Sequence, residues 1–558
     1  MNKKIFFILL IILYQSSSFG KSIDNLDFNP RYLSNYFSAI LSQKNQENEN
    51  ALKYFNNSKS LLNKHESYFE NLIFSLVMNG KLKSAIQKIK LSDENKVDFF
   101  DAQLLLLVDA IQKKNFVKAK IITKDLNKFS SGSGYDFILS ETLKDFVNVF
   151  LEKEIDLRKR NKFGTIDDIS LIFQSCYLNL ENTGYLFNKL LSSPDQDYSR
   201  YTYFYLNYLS EKNQIERIKQ VTKSLSPINS SLIISQSMVW IKNGQIKKLN
   251  EIFSCTNEAN LISELFFLIS NLYAVQNIYD KSNFYLILSN YLNSNFKYNN
   301  TLLIENYIDN KKYKLADKLL KKISKDDIIY NWYKIKKKTE IINELQNQDK
   351  ALNYIQNQFS LLKTDENKIL YDMAGIYKNF KKYNSAIELY TYLLKSINPK
   401  SDAYADILYR RGGSYERIKD FSNADKDLLK SLEISNNNPY VTNYLAYSWL
   451  ERNYNIDQAL NMLKEANKSK KDDPYITDSL GWGYFLIKDY VVAEKHLRRA
   501  VELMPYDPIV NDHYGDILWM LKRKVQARYF WKSVLTLEET SEEMRKKIEN
   551  KIIFGVNS

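Results

Sequence analysis

Fourteen positions, most of them alanine, recur along the chain at a nearly constant interval. Ala51, Ala85 and Ala119 stand 34 residues apart, and from Gly184 onward the intervals lie between 31 and 38 residues. An interval of this size is typical of a solenoid of stacked helix pairs, in which one small residue per pair lets two helices approach closely. The remaining positions of this ladder are Ile218, Leu249, Ser282, Ala316, Ala351, Ala386, Ala424, Ala459, Ala493 and Ala527.

The composition favours helices and gives little support to a nucleic-acid-binding protein. Only 14 glycines and 8 prolines occur in 558 residues, which disfavours a turn-rich β protein. The net charge is +14, but residues 440–558 hold 18 basic and 17 acidic side chains. The excess is spread thinly over the rest of the chain, and the short basic runs at 158–160 and 336–338 are interpreted as solvated helix faces.

The N-terminus has the pattern of an export signal. Lys3 and Lys4 precede ten apolar residues at positions 5–14, and small residues follow at Ser18 and Gly20. The alternative is an uncleaved membrane anchor, but ten helical residues span only about half of a hydrocarbon layer of ~30 Å. We therefore predict a signal peptide over residues 1–20 and an exported, periplasmic protein without a transmembrane segment after cleavage.

The two cysteines, Cys176 and Cys255, are separated by 79 residues, or about two repeats. An oxidising compartment would permit a disulfide. At roughly 10 Å per helix layer, however, two repeats in series hold the cysteines beyond bonding distance. The sequence therefore predicts two buried free thiols.

The clearest repeat runs from Pro474 to Pro505 and resembles the tetratricopeptide repeat. Its first helix carries Gly481 where a neighbouring helix approaches, and its second carries Ala493 at the matching point. Similar units precede and follow it. The residues that match the pattern in those units include Ala374, Tyr377, Ala386, Gly412, Tyr415, Ala424, Leu445, Ala446, Ala459, Tyr514, Gly515 and Ala527.

The resemblance implies an all-α superhelix of about 14 stacked helix-turn-helix repeats. It predicts divergent repeats over residues 21–345, clear repeats over 346–537 and a C-terminal capping helix over 538–558, with Ser541 as its N-cap. Ile218 and Leu249 depart from the family's small residue, so looser or shifted interfaces are expected there. One unit cannot be placed between Ala119 and Gly184, where the segment 130–134 is interpreted as a flexible linker.

No catalytic, cofactor-binding or metal-binding motif is found. The three histidines, His65, His496 and His513, form no metal-ligand or nucleophile pattern, and no Cys-x-x-Cys occurs. His496 is expected to be solvated. The sequence therefore predicts a protein that is not an enzyme and needs no cofactor.

In tetratricopeptide arrays the first helix of each pair lines a concave groove. Some members grip a terminal carboxylate with Lys, Asn and Arg there, but most matching positions here carry tyrosine or aspartate, so that clamp is absent. Carboxylates beside large aromatic rings suit a basic or amphipathic partner segment. The alternative is that Trp482 and Phe485 are inter-repeat core and that Asp478 and Asp512 are solvated. The predicted groove residues are Tyr371, Tyr409, Asn443, Tyr447, Asp478, Trp482, Phe485, Asp512, Asp516 and Trp519.

The favoured function is a non-catalytic scaffold of the bacterial cell envelope that binds proteins or peptides and no nucleic acid. One alternative is a scaffold for lipid or polysaccharide assembly in the envelope. Another is a cell-wall glycan-active enzyme with a helical superhelix, for which the residues after about position 535 leave too little room for a catalytic module of roughly 150 residues.

Overall fold

The computed structural model describes residues 30–62, 65, 67–126, 128, 134–156, 162–193 and 198–556. Within these residues there are thirty α-helices, three short 3-10 helices and no β-strand, so the predicted all-α fold is confirmed. The predicted signal peptide, the basic run at 158–160 and residues 130–133 of the predicted linker lie outside the described residues.

The helices are numbered in chain order. The first fifteen are α1 (Pro30–Lys44), α2 (Asn48–Asn57), α3 (Tyr68–Met78), α4 (Leu82–Lys90), α5 (Phe100–Gln112), α6 (Phe116–Leu126), α7 (Tyr135–Glu152), α8 (Thr165–Tyr177), α9 (Thr183–Leu191), α10 (Ser199–Glu211), α11 (Ile215–Lys223), α12 (Leu232–Lys242), α13 (Lys248–Ile252), α14 (Glu258–Val275) and α15 (Tyr279–Leu292). The other fifteen are α16 (Asn300–Asp309), α17 (Tyr313–Leu320), α18 (Ile328–Leu345), α19 (Gln348–Leu362), α20 (Asn367–Asn379), α21 (Tyr383–Leu393), α22 (Asp402–Arg417), α23 (Phe421–Ile434), α24 (Pro439–Glu451), α25 (Ile456–Ser469), α26 (Pro474–Leu486), α27 (Tyr490–Leu503), α28 (Pro508–Met520), α29 (Lys524–Val534) and α30 (Glu542–Phe554).

The ladder residues all lie on the second of two helices that follow one another in the sequence, from α2 to α29, with α7 and α30 outside this alternation. Thirteen of the fourteen are at most 1% exposed, which explains why only small side chains fit most of these positions. Gly184 is the exception, since it is partly exposed and the preceding Thr183 is fully buried. The predicted register in that pair was therefore wrong by one residue.

The clear repeats begin and turn in a regular way. Asn438, Asp473 and Asp507 each accept a hydrogen bond from a backbone N–H at the start of a first helix, and a proline follows each of them. Tight turns with a left-handed residue then reverse the chain, at Lys488 and Lys522 for example. These caps and turns fix where the helices of each pair begin and end.

The chain divides into two compact units. Among the described residues, the first contains those up to 218 and those at 243–323, and the second contains those at 219–242 and from 324 onward. Helix α12 consequently packs in the second unit, where the Gln236 side chain accepts a hydrogen bond from the Ile329 backbone N–H on α18 (3.0 Å). In the first unit α10 packs on α13, because the Asn207 amide donates to the Leu249 carbonyl (3.0 Å).

The first unit closes on itself, which the repeat ladder did not predict. Phe284 on α15 stacks on Phe74 of α3, with ring centroids 5.6 Å apart. Lys281, also on α15, lies 3.6 Å from carboxylate oxygens of both Asp101 and Asp136. Helices that are distant in the sequence are thus in direct contact. The repeats of this unit therefore also contact repeats that are not adjacent to them in the sequence.

The prediction of two free thiols is wrong, because Cys176 and Cys255 form a disulfide with a Cα–Cα distance of 5.9 Å. The prediction assumed that the intervening repeats were stacked in series between them. Residues 219–242 instead pack in the second unit, so α8 and the segment before α14 can meet. The Tyr177 hydroxyl donates to Glu258 beside the disulfide (2.8 Å).

Helix α30 packs on the last pair. Ser541 accepts a hydrogen bond from the Met544 backbone N–H, which confirms the predicted N-cap. Ile548 is fully buried among the side chains of α28 and α29, while Met544 and Ile552 pack against the same cluster. The Arg528 guanidinium donates to the Ile552 carbonyl (2.8 Å), which fixes the far end of the helix.

Candidate partner-binding surface

In the second unit, each first helix contacts the next first helix through polar side chains. We call this row of helices the first-helix face, and it consists of α18, α20, α22, α24, α26 and α28. At its start the Lys336 ammonium donates to Asp372 (2.6 Å). In its middle the Tyr444 hydroxyl donates to Glu416 (3.1 Å). The later contacts are those from Trp482 to Glu451 (2.7 Å), from His513 to Asp478 (2.8 Å) and from Lys551 to Asp512 and Asp516.

Four of the ten predicted groove residues are buried within this row. The Tyr371 hydroxyl donates to Asp406 of the next first helix. Asp478 and Asp512 are 5% and 2% exposed, so the alternative that they are solvated is wrong. Asp478 is the partner of His513, while Asp512 and Asp516 hold the buried Lys551 ammonium of α30. These carboxylates therefore join neighbouring helices of the chain itself.

Trp519 is also covered by the C-terminal segment. Its ring lies 5.5 Å from that of Trp531, and the Lys524 ammonium stands 4.9 Å from its centre. A Cβ atom at Gly555 would lie only 1.9 Å from the Trp519 ring. Only glycine fits at that point, so the residues after α30 close this end of the first-helix face.

The open part of the predicted groove is a group that we call the aromatic shelf, formed by Tyr447, Glu451, Trp482 and Phe485. The rings of Trp482 and Phe485 stack with centroids 4.6 Å apart and planes 8° from parallel. His513 stacks on Trp482 at 4.1 Å, and the Trp482 indole N–H donates to Glu451. Burial and the charges of Glu451 and Asp478 raise the pKa of Tyr447, so it stays a neutral hydroxyl. The shelf is therefore flat, partly exposed and fixed from two sides.

Tyr409 and Asn443 lie between the buried residues and the shelf. The Tyr409 ring meets that of Tyr444 edge-on, with centroids 5.6 Å apart. Asn443 is partly buried, and its Oδ1 atom is shielded from solvent without a hydrogen-bond partner in the described structure. Some of the ten predicted residues are thus buried or covered by the chain itself, and a smaller number remain accessible to a partner.

The sequence missed several charged and polar contacts on the same face. Arg410, Gly413 and Tyr444 were not predicted as groove residues, because the small-residue ladder carries no information about which exposed side chains converge. His496 was expected to be solvated, but its ring stacks on Tyr484 at 5.7 Å and burial lowers its pKa.

Asp516 should make the stability of the second unit depend on pH. Burial and the neighbouring Asp512 charge raise the pKa of Asp516 to about 6. The unfolded value is about 3.9, so the folded state binds this proton more tightly and the stability contribution is lost as pH rises from about 4 to about 6. Relative to Asp516→Asn, the native protein should lose on the order of 1 kcal/mol across this window. Urea unfolding of both proteins at several pH values measures this difference, and parallel pH profiles would contradict the expectation.

The described residues form neither a metal site nor a membrane-spanning helix. In this part of the chain, no group of three or more His, Cys, Asp and Glu side chains has the geometry to hold a metal ion. Among the same residues, every helix is too short or too polar to cross a bilayer.

Comparison with known proteins gives a partial relative. No family model matches the chain. The TPR repeat-containing protein PA4667 of Pseudomonas aeruginosa is 31% identical over 111 residues, which make up 20% of this chain and 19% of that protein. The chain therefore matches about a fifth of the length of this curated relative.

Three solved structures share parts of the fold at low identity. They are the TPR protein TTC0263 of Thermus thermophilus (17% identity, 34% of this chain and 100% of that one, TM-score 0.31), a tetratricopeptide repeat protein of Parabacteroides merdae (18%, 44% and 94%, TM-score 0.38) and pilF of Pseudomonas aeruginosa (16%, 34% and 93%, TM-score 0.29).

The paired helices, the buried ladder and the first-helix face define an all-α repeat fold. The repeat pattern and the curated relative both agree with the resemblance to the tetratricopeptide repeat. The fold supports a general role in protein–protein interaction.

Proposed function

We propose that this protein is a non-catalytic scaffold of the bacterial cell envelope that binds a basic or amphipathic segment of a partner protein. The observation that carries the proposal is the aromatic shelf. Trp482 and Phe485 are stacked, partly exposed and held in one orientation by Glu451 and His513. Preorganised aromatic rings bind a partner at low entropic cost.

The charge around the shelf supports a basic partner. Glu451 borders the rings, and Tyr447 offers a neutral hydroxyl next to it. Phe485 and His513 cover the two faces of the Trp482 ring. A lysine or arginine of the partner can therefore lay its aliphatic stem along the edge of these stacked rings while its charge approaches Glu451. Like-charge repulsion would disfavour an acidic residue at the same point.

The envelope location is supported by two observations. The N-terminal sequence has the charged, apolar and small-residue order of an export signal. The Cys176–Cys255 disulfide suits an oxidising compartment, where such bonds form and persist. Neither observation depends on the aromatic shelf, so location and binding can be tested separately.

Site-specific photo-crosslinking in the native cell tests the shelf. A photoreactive phenylalanine at Phe485 should crosslink a partner, whereas the same group at Tyr529 should not. Tyr529 is a suitable control because it lies on the second helix α29, outside the first-helix face, and is 70% exposed. With the purified partner, Trp482→Ala should raise Kd at least tenfold, as expected for an aromatic hot spot of about 2 kcal/mol or more.

The matched control for the affinity measurement is Tyr529→Ala, which should leave Kd unchanged. Thermal unfolding of each variant shows whether the fold is intact. Equal crosslinking at both positions, or an unchanged Kd for a folded Trp482→Ala variant, would remove the support for the shelf as the binding surface.

A further inference from the structure

A cavity of about 1050 Å³ lies within the second unit, where the helices α20, α22 and α24 begin. One of its walls is the loop between α11 and α12, and the others are the turn at 396–401 and the first residues of α22 and α24. Small-molecule sites in proteins measure about 300–1000 Å³. The cavity therefore has the size of a ligand site and is too large to be a packing defect.

The wall formed by the α11–α12 loop is held in place. Ile228 in this loop is fully buried in a hydrophobic cluster made by α20, α21 and α22. The Ser226 hydroxyl accepts a hydrogen bond from the Asn229 backbone N–H (3.0 Å), and the Ser230 hydroxyl donates to the Ser226 carbonyl (2.7 Å). The loop is therefore a fixed wall of the cavity and not a flexible cover.

The lining of the cavity is polar but carries no net charge. Eleven of its 24 residues are serine, threonine or asparagine. Lys223 and Lys400 contribute two positive charges, and Asp402 and Asp406 contribute two negative charges. An apolar ligand would cover these polar groups without offering them hydrogen bonds, which is unfavourable. The lining therefore favours a polar, uncharged ligand.

Several lining groups have hydrogen-bonding capacity that the described part of the chain does not use. The amide nitrogens of four asparagine side chains donate no hydrogen bond there, and neither do the hydroxyls of two tyrosines. The backbone N–H groups of Ala403 and Val441, in the first turns of α22 and α24, are also without an acceptor among these residues. A matching ligand therefore carries several acceptor oxygens. The asparagines are Asn229, Asn367, Asn398 and Asn438, and the tyrosines are Tyr409 and Tyr440.

We infer that this cavity, between Asn229 on the loop and Tyr409 and Tyr440 on two first helices, binds a short, neutral oligosaccharide. Each sugar ring carries several hydroxyls around its rim, and a hydroxyl both accepts and donates hydrogen bonds. Tyr440 is 49% exposed, and its ring offers an apolar face on which the C–H groups of a sugar can pack. An extended peptide presents successive carbonyls on alternating sides, so about half of them would point away from any one wall.

The inference does not rest on the aromatic shelf. The cavity and the shelf share no residue, although Tyr440 and Tyr447 belong to the same helix. Seven helical positions separate these two tyrosines, which is about 10 Å along the axis at ~1.5 Å per residue. The two sites can therefore be occupied independently and are tested separately.

Saturation-transfer NMR with the whole protein tests the assignment, because a large protein transfers saturation efficiently to a small ligand. The probes are maltotetraose, cellotetraose and chitotetraose, with tetragalacturonate as an acidic counterpart. At least one of the three neutral sugars should bind with a Kd on the order of 1 mM or lower. Tetragalacturonate should bind more weakly than that sugar.

Two variants check the place of binding. Tyr440→Ala should raise the Kd of the bound sugar about fivefold or more, because it removes a ring on which the sugar packs. Asn229→Ala should also raise it, because it removes a free amide from the loop wall. Neither side chain makes a hydrogen bond that would be lost with the fold of the described residues, except that the backbone of both is retained. Thermal unfolding should therefore be unchanged in both variants.

Tyr475→Ala is the matched control for Tyr440→Ala. Each of these tyrosines follows a capping residue and a proline at the start of a first helix, and Tyr475 is 53% exposed. Tyr475 does not line the cavity. Its replacement should therefore leave the Kd of the sugar unchanged.

Absence of binding by all three neutral sugars, tighter binding of tetragalacturonate, or an unchanged Kd in Tyr440→Ala would overturn the assignment. Displacement of the bound sugar by a neutral Gly-Ser decapeptide would also overturn it, because the cavity would then bind peptide. Loss of sugar binding in Trp482→Ala would place the sugar on the shelf and not in the cavity. Crosslinking at Phe485 that persists without sugar binding would leave the proposed function intact, so the two proposals fail separately.

Discussion

Reduction of the Cys176–Cys255 disulfide is expected to lower the free energy of unfolding of the first unit by about 4 kcal/mol. The bond closes a loop of 79 residues, and cross-linking a loop of that length removes chain entropy from the unfolded state. Residues 219–242 of this loop pack in the second unit. If that unit stays folded while the first unfolds, its structure already restrains the loop and the effect becomes smaller.

Urea unfolding with and without a phosphine reductant measures this effect, with circular dichroism reporting helix loss. The Cys176→Ser/Cys255→Ser double variant serves as the control, since reductant should not change its unfolding. Maleimide labelling of the protein directly in lysed cells adds a test of location. Two reactive thiols in the native protein would contradict both the disulfide and the proposed oxidising compartment.

The sequence predicted where the helices lie along the chain better than it predicted which helices pack against one another. Ala493 and Ala527 mark second helices because a buried small residue at a fixed interval is a local requirement of helix pairing. The contact between Phe74 and Phe284 has no such signature, because it depends on the curvature of the first unit as a whole. The disulfide was missed for the same reason.

The candidate site was predicted in part. Trp482 and Phe485 were predicted as groove residues from their positions on a first helix, and the structure brings their rings together. Their role in binding stays a prediction. The burial of Asp512 and Asp516 could not be predicted, since their partner Lys551 lies on a capping helix outside the repeat pattern. Gly413 lies beside Lys378 because three helices pack together there. The sequence of a single repeat contains no information about that packing.

Replacement of Arg200 by methionine is expected to destabilise the first unit by about 3–5 kcal/mol, because it leaves a buried carboxylate without its partner. The Arg200 guanidinium donates to both oxygens of Glu264 (2.8 and 2.7 Å) and to Asn299 (2.8 Å). Glu264 is 0% exposed, and Arg200 also lies 3.7 Å from the centre of the Phe267 ring. The pair thus joins α10 to α14, with the Glu264 carboxylate fully buried and the Arg200 guanidinium partly exposed.

The pH dependence of this variant provides a second test. Burial raises the pKa of Glu264 although Arg200 acts to lower it, so removal of Arg200 should raise that pKa further. A folded-state pKa above the unfolded value gives stability at low pH that is lost as pH rises. The defect of Arg200→Met should therefore shrink as the pH is lowered from about 7 towards about 4.5.

The Arg200→Met/Glu264→Gln double variant completes the cycle. It should recover part of the lost stability at neutral pH and should lack the pH dependence of the single variant, because the buried charge is gone. Urea unfolding of the native protein and the three variants gives the coupling free energy. A double variant less stable than Arg200→Met alone would show that Glu264 contributes through its hydrogen bonds and packing, and that the missing cation is not the cause of the defect.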